Sequence, residues 1–189
     1  MNEVERIHEE LKAIGQIVGA SNDVSAITDY GAHSAKALLL AGASYFERRI
    51  ISSIEDHVNT VTMSDVVRHF VLHQAVERKF FALFDFNADT KNINAFLSKF
   101  GPAYNKWAKD DIKLAGVEKS QLYFLNFCRL RNSLVHNNYA TYDINKTLDE
   151  VWAEFAKAAL LVSWIESSFK RFNKVVIAAG VERDGQTTA

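Results

Sequence analysis

The chain has 189 residues, a net charge of −1 and 48% apolar residues, the make-up of one globular domain with short extensions. That charge excludes a protein that coats nucleic acid without regard to sequence, although a local basic cleft would still suffice for an RNA enzyme. The single cysteine, Cys128, excludes an intramolecular disulfide, and no run reaches the roughly 20 apolar residues of a membrane span.

The first stretch, MNEVERIHEELKAIG, is charged throughout and lacks a secretory pattern, so a cytoplasmic protein is expected. Val4, Ile7, Leu11, Ile14 and Val18 fall at helical spacing and predict a short amphipathic helix over 2–18. SNDVSAITD offers several caps and interrupts it. A longer helix is expected over about 29–59, with the stripe Leu39, Ala43, Phe46, Ile50 and Ile54 widened by Leu40, Ile51 and Val58. Glu47 falls on the edge of that stripe, where a carboxylate is either paired or functional, since an unpaired buried one is costly.

Ser64 and Asp65 cap a third helix expected over about 64–84. DFNADTKN reads as a loop, a short helix follows over about 91–100, and Gly101-Pro102 breaks it. KDDIKLAGVEKS reads as a polar connection. The run QLYFLNFCRL then starts a helix whose stripe is Tyr123, Phe127, Leu130 and Leu134. Thr147 and Glu150 form a capping-box pattern for a last helix ending near Phe172, with Leu148, Trp152, Phe155, Ala159, Val162 and Phe169 inward. The whole predicts an all-α antiparallel bundle with short additional helices. Residues 1–22 are a helical extension, 23–178 the domain, and 179–189 a polar, flexible tail.

The chemistry concentrates in LRNSLVHNNYATY, residues 130–142. Arg131 carries a permanent charge and a planar fork of donors that suits phosphate oxygens. His136 can take or give a proton near neutral pH. Asn132 can orient either group. On a helix Arg129, Asn132 and His136 share a face, whereas Arg131 stands about 140° from His136. Either the helix ends near Val135 and His136 turns back, or a working site combines residues of two chains. The plainer alternative is that both are surface cations favoured by a helix C-terminus.

RNSLVH resembles the R-x4-6-H signature of the HEPN superfamily, in which the residue after the arginine is usually polar. The helix LLLAGASYFERRIISSIEDHV upstream, the segment NINAFLSKFGPAYNKW and the long helix after the motif extend the resemblance over roughly Tyr30 to Phe172. The layout is most similar to RiboL-PSP-type HEPN domains, with MAE-type HEPN nucleases as near relatives. Such domains often carry Gly after the histidine. Here Asn137 stands there, and Asn tolerates a left-handed backbone better than most residues.

The resemblance implies a HEPN-like bundle and a metal-independent endoribonuclease that works by 2′-hydroxyl attack, with no cofactor. Arg131, Asn132 and His136 would be its catalytic residues, with Glu47 and Arg129 as accessories. It also implies RNA as substrate, a homodimer joining two motifs in one cleft, and a toxin–antitoxin or antiviral abortive-infection setting. An antitoxin or a neighbouring defence protein would then be a partner. The alternative is a HEPN-type module that binds RNA or protein without cutting.

Other chemistry is weaker. His69, His73 and Glu77 recur every four residues and could share a metal, but HExxH is missing and a solvated or packed face is the simpler reading. Asp85, Asn87 and Asp89 mimic a calcium loop, yet Thr90 and Phe96 occupy the positions that need Gly and Glu. Cys128 lies among inward-facing apolar residues and reads as core.

Overall fold

The computed structural model describes residues 2–61, 64–73 and 80–185. Among them there is no strand, and the chain is an all-α protein. In order the helices are α1 (Glu3–Gly19), α2 (Val24–Val61), α3 (Asp65–Val71), α4 (Asn94–Ser98), α5 (Pro102–Leu114), α6 (Glu118–His136) and α7 (Leu148–Gly185), with a 3-10 turn at Phe80–Leu83. Two compact units can be distinguished: Met1–Arg48 with Phe86–Asn92 and Lys119–Leu160, and Arg49–Asp85 with Ile93–Glu118 and Leu161–Ala189.

In the first unit α1 opens on a capping box. The Glu5 amide donates to Asn2 Oδ1 at 2.8 Å, and the Asn2 amide donates to Glu5 Oε2 at 3.1 Å. Its inward side is set by Val4 and His8, both buried, while Ile14 of the predicted stripe stays 47% exposed. His8 takes that place because its ring stacks on Trp152 of α7, centroids 4.6 Å apart and planes 7° from parallel. Asn22, at φ 56°, turns the chain, and Asp23 accepts from the Ala26 amide at 3.1 Å, so α2 starts at Val24 rather than near Asp29. Phe46 of α2 stacks on Phe155 of α7 at 4.8 Å and meets Phe127 of α6 edge-on at 5.4 Å. Gly42 permits this approach: a Cβ there would lie 2.8 Å from the Phe127 ring and 2.9 Å from the Phe155 ring. The Thr147–Glu150 cap forms as the sequence predicts, the Thr147 amide donating to Glu150 Oε2 at 2.8 Å.

In the second unit Ile50 and Ile54 continue the α2 stripe; Leu39, Ala43, Phe46, Ile50 and Ile54 are all buried, while the widening residues Leu40, Ile51 and Val58 are half-buried. Phe84 stacks on Phe96 at 4.7 Å, and Phe100 and Tyr104 pack against Phe169 at 4.8 and 5.3 Å. Gly101 at φ 92° and Pro102 at the first helical turn separate α4 from α5. The expected polar connection, residues 109–120, is mostly helical instead: its first half ends α5 and its last residues begin α6. Tyr104, Ala108 and Ile112 recur every four residues and are buried, and Asp111 accepts from Trp164 Nε1 at 2.8 Å and Arg171 at 2.6 Å. Arg49 pairs bidentately with Glu166. Of the third helix expected over about 64–84, α3 covers Asp65–Val71 and the 3-10 turn covers Phe80–Leu83, while residues 74–79 lie outside the described residues. The last helix continues past Phe172 to Gly185, and 186–189 of the expected tail lie outside the described residues.

Candidate active site

Every residue of the proposed site falls in the first unit. The helix α6 carries Phe124, Leu125, Phe127, Cys128 and Leu134 into the core, with Ser120 and Gln121 on its first turn. At 100° per residue, the centre of this buried face is turned about 90° from the stripe predicted by Tyr123, Phe127, Leu130 and Leu134. Tyr123 and Leu130 are only half-buried. The rotation matters because it puts Arg131 about 20° from the centre of the buried face and His136 about 120° from it.

Arg131 is therefore half-buried beside Phe127 and Leu134, both 0% exposed. Its guanidinium donates to Asn132 Oδ1 at 3.3 Å, so the amide beside the arginine orients the arginine. Burial pushes the Cys128 thiol far above its usual range; Arg131 draws it down and Glu47 raises it further. Glu47 on α2 and Arg131 on α6 thus both act electrostatically on the same buried sulfur. A protonated, buried thiol has no role as a nucleophile.

His136 ends α6 and is exposed. The helix runs through it, so the imidazole does not turn back over Arg131. The next residue departs from the expected left-handed turn: among the described residues the positive-φ residues other than glycine are Asn22 and Asn145. Asn137 instead folds back, its side-chain amide donating to Ser133 O at 2.7 Å and its backbone amide to the same oxygen at 3.0 Å. One carbonyl left over by the helix end is satisfied twice, which removes the need for glycine.

Arg129 has a structural task. Its Nε donates to Phe86 O at 3.0 Å, one terminal nitrogen donates to Asn126 Oδ1 at 2.7 Å, and the other reaches the carbonyls of Asn87 and Thr90. The guanidinium clamps the loop that mimics a calcium site and is committed to carbonyls rather than phosphate. An open cleft of about 340 Å³ lies along this outer side of α6, lined by Asn126, Arg129, Leu130, Ser133, Lys146 and Glu154. Lys146 and Glu154 pair across it at 2.7 Å.

Beyond the motif the chain crosses α2. Lys36, 4% exposed, donates from Nζ to Tyr139 O at 3.0 Å and stands 5.2 Å from the Tyr139 ring centre. The His33 ring lies 6.3 Å from the same ring at 28°. Sequence reasoning missed this cluster. The spacing of His33 and Lys36 on one helix face is visible, but the partner is 103 residues from Lys36. Of the series His69, His73 and Glu77, only His69 lies on α3, and Glu77 lies outside the described residues. Among the described residues no group of three or more His, Cys, Asp or Glu side chains is placed to hold a metal ion. No described helix is long and apolar enough to cross a membrane. Compared with protein-family models, curated proteins and solved structures, the chain matches none.

Proposed function

We propose that the chain is a metal-independent endoribonuclease of the HEPN type, working in the cytoplasm. The observation that carries the reading is the placement of its motif: Arg131, Asn132 and His136 occupy the last two turns of α6, and His136 is open to solvent. The ribose 2′-hydroxyl would attack the adjacent phosphate, leaving a 2′,3′-cyclic phosphate and a 5′-hydroxyl. His136 would move the proton, a contribution of about 10²–10⁴-fold. Arg131 would hold the charge that develops on the phosphate, with Asn132 fixing its fork. Because Arg131 and His136 face different ways on one helix, the site is proposed to form between two copies of the chain. The setting that fits is a toxin held by an antitoxin, or an antiviral effector beside another defence protein.

The test is one labelled RNA, its all-deoxy counterpart and end-group analysis of the products, all in excess EDTA. RNA cleavage should persist, the deoxy strand should resist, and His136→Ala should abolish cutting. Arg131→Lys should also fail, because an ammonium lacks the planar fork. Cleavage of the deoxy strand, loss of activity with EDTA, or products ending in 5′-phosphate would each rule the mechanism out. A second reading, a HEPN-type module that binds without cutting, is favoured by the inward direction of Arg131 and its contact with Asn132. RNA retained but intact in the same assay selects it.

A further inference from the structure

Burying a lysine without a carboxylate is costly, because the ammonium gives up strong hydration that a carbonyl only partly replaces. Lys36 is in that position. It is 4% exposed, its Nζ donates to Tyr139 O at 3.0 Å, and among the described residues no carboxylate lies within ion-pair reach of it. What the lysine secures is an aromatic ring that stays 40% exposed. His33, itself exposed and one turn earlier on α2, lies alongside the same ring at 6.3 Å. An exposed tyrosine that serves only the fold needs neither a buried cation nor a second ring to hold it. A tyrosine that stacks on a ligand benefits from both, because its ordering entropy is spent before binding.

We propose that Tyr139, backed by His33 and Lys36, is the platform on which an unpaired base of single-stranded RNA stacks, three residues beyond His136. The proposal takes its ligand from the ribonuclease reading and adds where the strand lies. An aromatic face accepts any base that is free to unstack, which selects single strands and loops over duplex. Lys36 is a positioning residue: it fixes the ring and the backbone of the loop that follows the histidine.

The experiment uses the full chain carrying His136→Ala, so that binding is read without cutting, and a fluorescein-labelled single-stranded RNA octamer followed by anisotropy. Tyr139→Ala in that background should weaken binding about 10-fold or more, while Tyr139→Phe should bind as the parent does. A blunt RNA duplex should bind the Ala and Phe variants alike. Equal affinity of both variants for the single strand, or no binding by the parent, overturns the assignment. Binding that depends on Tyr139, with no cleavage by the wild-type protein, removes the nuclease reading and leaves the platform. Cleavage by the wild type with binding indifferent to Tyr139 does the reverse.

Discussion

His57 stacks on Phe169 with ring centroids 4.7 Å apart, and burial alone moves its pKa below the ordinary 6.5. The imidazolium is disfavoured there because the ring is partly withdrawn from water. Between the folded value and about 6.5 the unfolded chain holds more proton than the folded one, so stability falls as pH falls through that window. Above 6.5 the neutral ring contributes its full packing, and below the folded value the loss from this group stops growing. Urea unfolding of the wild type and of His57→Phe should therefore show a difference that changes below about pH 6.5, always against the wild type. A difference constant from pH 8 to pH 5 contradicts the account. The Cys128 thiol illustrates the same cause acting on an acid: burial holds it protonated and outweighs the pull of Arg131.

Helix α2 contains two glycines, and what surrounds each decides the sign of the same substitution. A Cβ on Gly42 would press within 3.0 Å of the Phe127 and Phe155 rings, which are themselves fixed against Phe46. Alanine's better helix propensity returns about 1 kcal/mol, whereas forcing atoms into a filled core costs about 1–3 kcal/mol. Gly42→Ala should therefore destabilise the protein, by up to about 2 kcal/mol. Gly31 has nothing within 4 Å of the same position and is exposed, so Gly31→Ala should stabilise by about 0.5–1 kcal/mol. Denaturant midpoints read both; matching signs would mean that the approach of α6 and α7 at Gly42 is looser than it is drawn. The end of α6 follows the same local logic. Arg129 ties its flank to the 86–90 loop, Asn137 closes its last turn, and Lys36 holds the segment that follows.

At the scale of the molecule the question is assembly. Arg131 sits near the middle of the buried face of α6 while His136 ends the helix in solvent, so one chain presents the two groups in different directions. A homodimer that sets two motifs together is the arrangement under which the proposed chemistry works, and the protein should behave as a dimer. Light scattering on dilute protein measures this directly. A strict monomer that still cuts RNA removes the shared-cleft argument and requires His136 to act with groups of its own chain.

The sequence by itself determined the all-α class, the buried stripe of α2 from Leu39 to Ile54, the Gly101-Pro102 break and the Thr147–Glu150 cap. These depend on the helical period and on partners within four residues, so a single strand of text contains them. The rotation of α6 was not legible. Its apolar residues spread over a wide arc, and only packing against Phe46 and Phe155 selected the face that carries Arg131. The division into two units cuts α2 after Arg48 and α7 after Leu160, where no proline or glycine run marks it. The clamp of Arg129 on Phe86 and the seat of Tyr139 on Lys36 join residues 43 and 103 positions apart. Such contacts have no local signature, because what selects them is which side chains the folded core leaves within reach.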